Sequence, residues 1–242
     1  MLRIKLSAAE LHTLFRLVSA EAVVGFPNGL LFPKDKEQAD ALYQQGFETL
    51  VDHNWLRPEG TKYNAHDEFF LYASIMASPQ NTIVAKHGFG KAEKVITYYE
   101  ANGQYIEQYF GAENLFYVSP LQSVDQLEQR LTNFLNLAPV DNDQLVSFEV
   151  DEGEASAAIK AQDVGTLTSL FGDGATNQTV AQSILSAKPY GQIEFGEIDP
   201  DGAAKIRTLV LIQNPETKET FSFQRTGDQF IISVVAPQSI LK

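Results

Sequence analysis

The sequence predicts an α+β fold built from two pseudo-symmetric halves, each a strand, helices and a three-stranded antiparallel meander, packed as one globular unit. Three observations predict it. Between Lys94 and Val124, three apolar runs rich in Val, Ile, Tyr and Phe are separated by turns at Asn102-Gly103 and Gly111-Ala112-Glu113-Asn114. Such runs, bounded by Gly and Asn, read as strands joined by hairpins. Between Lys205 and Leu241 the same layout returns, with turns at Asn214-Pro215 and Thr226-Gly227-Asp228. Pro120 follows the third run of the first copy and Pro237 that of the second. Upstream, Ser74–Pro79 resembles Ser183–Pro189, and the segment opening at Leu2 resembles the one opening at Leu145. Two copies are too few for a solenoid, so two packed halves are expected. They span 1–138 and 145–242, joined by a linker at 139–144 rich in Asx residues.

In order, Leu2–Ser7 reads as an alternating strand, with Ser7 as N-cap of a helix over Ala8–Ala22. Leu11, Leu14, Phe15 and Val18 give that helix one apolar face. Gly25–Pro33 reads as a buried crossing segment with a short strand at Leu30–Phe32. A second helix is expected over Lys36–Asn54, with Gly46 tolerated inside it. Asn54–Gly60 is a turn anchored by Trp55, and Asn64 caps a third helix over Ala65–Ala77. After the first meander, Val124–Leu137 is helical. In the second half, Leu145–Asp151 is a strand whose Asp151 opens a helix running from Gly153 to Phe171. Thr176 or Asn177 caps a last helix ending near Ala187.

The 242 residues carry 18 Lys and Arg against 31 Asp and Glu, a net charge of −13. That balance opposes nucleic acid and anionic membranes as partners. The 44% hydrophobic and 11% aromatic content is ample for a core. Without cysteine there is no disulfide, thiolate metal site or thiol nucleophile. The opening MLRIKLSAAELHTLF lacks the basic-then-apolar plan of a signal peptide, and no run reaches the ~20 apolar residues of a membrane span. A cytoplasmic protein without membrane insertion is expected.

No catalytic constellation is evident. His12, His53, His66 and His87 form no metal-ligand spacing. No G-x-S-x-G elbow supplies a nucleophile. His87-Gly88-Phe89-Gly90-Lys91 lacks the spacing of a phosphate loop and reads as a connection between strands that can double as a mobile contact loop. Neither an enzyme nor a bound cofactor or metal is expected. The aromatic richness of the first meander points instead to protein contact. Tyr98, Tyr99, Tyr105, Tyr109 and Tyr117 crowd into one meander, and neighbours on a strand face opposite sides. Either both sheet faces are covered, or one keeps tyrosines near solvent, where their amphipathic rings suit an interface. The candidate partner-binding residues are therefore these five tyrosines with Gly88, Phe89, Gly90 and Lys91.

The layout resembles the EspG proteins of ESX (type VII) secretion. The features that carry it are the opening strand and helix, the helix segment Leu42–Gly46 read as a helix end, and the helix ending at Ser78-Pro79. The meander closing in Val118-Ser119-Pro120 and the same order ending in Val235-Ala236-Pro237 complete it. The composition, aromatic and rich in Asn and Gln, departs from the Ala/Gly/Arg-rich members of that family. The resemblance implies a quasi-two-fold α+β fold and a cytosolic, non-catalytic chaperone that holds helical secretion substrates. A small-ligand site or enzyme between the halves is the alternative, discriminated by a deep pocket with convergent polar groups. A winged-helix regulator fits the order of Lys36–Ala77 but not its charge, since AHDEFFLYASIMA carries no basic residue besides histidine.

Overall fold

A computed structural model describes residues 3–26, 29–59, 62–90, 93–141, 145–172, 174–198 and 204–241. It is a mixed α and β protein whose strands pair antiparallel. Two compact units emerge, each discontinuous in sequence. Unit 1 takes Met1–Val84, Val95–Leu127 and Gly196–Lys205; unit 2 takes Ala85–Lys94, Glu128–Phe195 and Ile206–Lys242. Of the expected linker, residues 142–144 lie outside the described residues.

The first elements are β1 (Ile4–Leu6), α1 (Ala8–Leu17), α2 (Lys36–Asp52), β2 (Leu56–Glu59), β3 (Lys62–Ala65) and α3 (Asp67–Ala77). Then come β4 (Asn81–His87), β5 (Lys94–Ala101), β6 (Gln104–Phe110), β7 (Phe116–Leu121) and α4 (Val124–Phe134). The strands run β1-β7-β6-β5-β4. Ser7 caps α1 as expected: it accepts from Glu10 N–H at 3.2 Å, and the Glu10 carboxylate accepts from Ser7 N–H at 2.7 Å. The helix stops at Leu17, earlier than its periodicity suggests, because Ser19 turns left-handed at φ 59. Leu30–Phe32 forms no strand, but Leu31 is fully buried and Phe32 stacks on Phe15 at 5.9 Å. Asn64 lies in β3, and the N-cap position of α3 falls to His66, which makes no side-chain capping bond.

Leu42–Gly46 is not a helix end, since α2 continues to Asp52. Gly46 sits where α2 crosses α1. A Cβ there would stand 2.0 Å from the Ala9 carbonyl oxygen and 2.5 Å from Thr13 Oγ1. The Thr13 hydroxyl lies 3.0 Å from both the Ala9 and Tyr43 carbonyl oxygens and links the two helices. The core of this region gathers Leu11, Phe15, Leu50, Met76, Ile106 and Phe116.

The later elements are β8 (Ser147–Asp151), α5 (Glu152–Ala161), α6 (Val164–Phe171), α7 (Ala175–Ser186), β9 (Lys188–Ile198), β10 (Ala204–Gln213), β11 (Thr220–Thr226) and β12 (Gln229–Val235). The strands run β9-β10-β11-β12-β8. Each meander therefore has a fourth strand, β4 or β9, ahead of the three the sequence marks. Asp151 caps α5, accepting from Glu154 N–H at 2.8 Å. Phe148 stacks on Phe171 at 4.2 Å over a core with Leu167, Ile184, Phe221 and Ile232.

The single helix expected over Gly153–Phe171 is two. Gln162 adopts φ 56 and ends α5, and Asp163 caps α6. Asp163 accepts from Thr166 N–H at 3.0 Å and from the Thr166 hydroxyl at 2.7 Å. These bonds to Thr166 hold its carboxyl below the usual aspartate range. A depressed folded pKa contributes stability that is complete above the unfolded pKa and is lost as pH falls through the folded one. Asp163→Ala should therefore lower the melting temperature at neutral pH, and the gap to the native chain should close in acid, as calorimetry across pH would record. Asn177 does not cap α7. Its amide instead donates to the carbonyls of Phe171 at 3.0 Å and Gly172 at 2.7 Å, closing the end of α6.

Candidate protein-contact site

The sheet of β1, β7, β6 and β5 has one face in the hydrophobic core, built on Ile4, Leu6, Phe116, Val118, Ile106, Tyr99 and Ala101. Strand alternation sends Arg3, Lys5, Tyr117, Tyr105, Tyr109 and Tyr98 to the other face. The register sets Tyr109 opposite Tyr117, and Tyr117 opposite Lys5. Those two tyrosine rings lie parallel, 4.9 Å apart at 3°. The Arg3 guanidinium sits 5.4 Å from the Tyr109 ring and 5.9 Å from Tyr117, and Lys5 Nζ is 5.7 Å from Tyr117. Cations over electron-rich ring faces are attracted by the ring quadrupole. Gly111 makes room for this array, since a Cβ there would meet the Tyr117 ring at 2.4 Å. On the opposite side of β6, Phe110 stays 42% exposed although its ring lies 4.8 Å from Phe116.

The five tyrosines therefore divide. Tyr105, Tyr109 and Tyr117 are half-buried and keep surface to offer. Tyr98 and Tyr99 are 1% and 0% exposed. They leave the candidate surface, because this stretch of β5 is covered on both faces. The Tyr99 hydroxyl donates to the Val24 carbonyl at 2.6 Å. Burial pushes its phenol far above the ordinary tyrosine range.

Gly88, Phe89 and Gly90 belong to unit 2 and are described there by themselves. Both glycines take positive φ, 83 and 62, and Gly88 N–H donates to the Tyr190 carbonyl at 3.0 Å. Phe89 is 53% exposed. The neighbouring His87 ring packs 4.7 Å from Tyr190. Lys91 lies outside the described residues. The corresponding outer face of β10, β11, β12 and β8 carries no tyrosine. Ser222, Gln224, Ile231 and Ser233 line a cleft of about 260 Å³ there, and the hydroxyls of Ser147 and Ser233 meet at 2.8 Å.

Sequence reasoning missed Arg3 and Lys5. Their signal was their alternation on an opening strand in a strongly acidic chain. Among the described residues no three His, Asp or Glu side chains cluster as metal ligands, and no helix is long and apolar enough to cross a membrane.

No family model and no curated protein matches the sequence. Among solved structures, the chain is similar to that of the Mycobacterium tuberculosis type VII secretion system chaperone EspG5 in complex with a PE25–PPE41 dimer. The TM-score is 0.65 at 13% identity, over 98% of this chain and 92% of that one. What the two share at that identity is the fold, which is EspG-like.

Proposed function

We propose that this protein is a non-enzymatic, cytosolic protein-binding chaperone of the EspG kind, holding a helical secretion substrate. The observation that carries this reading is the likeness of fold to a secretion chaperone along nearly the whole of both chains. The contact surface is the outer face of unit 1 at Tyr105, Tyr109 and Tyr117, with the Gly88–Gly90 loop of unit 2 as a second contact element. Stacked tyrosines held by Arg3 combine wide apolar area with hydroxyl groups, and interfaces are enriched in both residue types. The same reading makes residues 1–138 and 145–242 copies of one ancestral half. The matched strand orders β1-β7-β6-β5-β4 and β8-β12-β11-β10-β9 support it.

Co-expression with small helical proteins encoded beside the gene tests the proposal. The expected result is a stoichiometric complex on size exclusion with at least one of them. Truncating an anchoring interface tyrosine costs ~2 kcal/mol, or about 30-fold in affinity. Tyr109→Ala combined with Tyr117→Ala should weaken the complex by that order while the melting temperature moves little. A folded double variant that binds as tightly as the native chain takes the interface off this face. Failure of every helical neighbour to co-purify overturns the chaperone reading.

A further inference from the structure

A second feature of unit 1 borders the tyrosine face and shares Arg3 and Lys5 with it. A cleft of about 580 Å³ is lined by Arg3, Ile4 and Lys5 of β1, by His53–Trp55 and Arg57, and by His66, Glu68 and Phe69 at the start of α3. Side chains of successive strand residues point to opposite faces. A cleft touched by three successive residues of β1 therefore runs along the edge of that strand. β1 is the end strand, laddered to β7 on one side only among the described residues. Its second edge carries main-chain donors and acceptors with no ladder partner, a template for another strand.

The charge around this edge is opposite to that of the chain. In a protein of net charge −13, Arg3, Lys5 and Arg57 converge on one cleft where, among the described residues, Glu68 is the one acidic lining residue. All three cations are exposed, and none forms an ion pair with another described residue. His53 already has a partner in Glu10, at 3.4 Å. The floor is aromatic: Trp55, half-buried, stacks on Phe69 at 4.5 Å.

We infer that this edge takes up an extended, carboxylate-rich peptide segment, which adds a strand beside β1. Main-chain hydrogen bonds to β1 would supply affinity, Arg3, Lys5 and Arg57 would select acidic side chains, and Trp55 would receive an apolar one between them. Charged residues on an edge strand also protect it from unwanted pairing. Arg57 and Trp55 stand outside β1 and are not explained by that protection. This inference does not rest on the chaperone reading, and Arg57 is not part of the Arg3–Tyr109–Tyr117 array.

Trp55 is the only tryptophan and reports directly on the cleft. The test is a fluorescence titration of the full chain with a capped hexapeptide alternating Glu and Val. A saturable change is expected, weakening as salt is raised. Arg57→Glu should weaken binding at least tenfold with an unchanged melting temperature, as should N-methylation of alternate peptide amides. A hexapeptide alternating Lys and Val should give no saturable change. The inference is overturned if the Glu–Val peptide does not saturate, or if the Lys–Val peptide binds equally well. Equal binding of the N-methylated peptide removes the strand addition. Full competition by citrate at the concentration of the peptide assigns the cleft to small organic anions and likewise overturns it.

Discussion

Gly46→Ala should lower stability by about 3 kcal/mol, against the trend of the same change elsewhere in a helix. On an open helix interior, alanine is preferred to glycine by about 1 kcal/mol. Here the added Cβ would stand 2.0 Å from a backbone carbonyl of α1, and main chain cannot swing aside as a side chain can. Overpacking costs about 1–3 kcal/mol, and contact with backbone belongs at the upper end. The helices must separate, which also strains the Thr13 link between Ala9 and Tyr43. For a chain of this size the loss corresponds to a fall of about 6–12 °C in melting temperature. A variant that melts at or above the native temperature would show that α1 and α2 do not need this close approach.

Tyr99→Ala should be as damaging, and Tyr109→Ala should not. Tyr99 is fully buried and bonded to the Val24 carbonyl, so its truncation removes an aromatic ring from the core. Such truncations cost about 3–5 kcal/mol. Tyr99→Phe keeps the ring and should lose only about 1 kcal/mol, the net worth of the hydrogen bond to the Val24 carbonyl, because Val24 is exposed and water can replace the hydroxyl. Tyr109 is half-buried and held by one stacked ring and one cation, so Tyr109→Ala should change stability by about 1 kcal/mol or less. Denaturant melts of the three variants separate a tyrosine that builds the fold from one that presents a surface. Equal losses for Tyr99→Ala and Tyr109→Ala would mean that both rings are core.

The parts legible in the sequence are those whose chemistry is local. Asn102-Gly103 marks a hairpin because both residues adopt positive φ, and Ser7 and Asp151 mark helix starts because their side chains bond the next turn. The break at Gln162 was hidden, since glutamine seldom takes the left-handed conformation and neither glycine nor proline announces it. Strand β9 was missed because Pro189 is its second residue and it mixes polar with apolar residues on partly covered faces, while β4, which opens just after Pro79, was legible only as the strand implied before the Gly88–Lys91 connection. Period-two alternation places Tyr98 and Tyr99 on opposite faces, but whether a second face is covered depends on segments far away in sequence. Gly46 looked like a tolerated weakness for the same reason, as its partner Ala9 lies on another helix. The basic cleft had no sequence signal, being assembled from positions 3–5, 53–57 and 66–69.

Because unit 1 includes Gly196–Lys205, it cannot be completed until most of the chain has been synthesised. At about 5–20 residues per second, synthesis of the stretch from residue 1 to Lys205 takes about 10–40 s. The pairing of Ile4 with Val118 can form earlier, but the last segment of the unit arrives only after nearly all of β9 has emerged. Nascent chains thus spend tens of seconds with unit 1 unfinished, and a fragment ending at residue 138 should be a client of the cell's folding helpers.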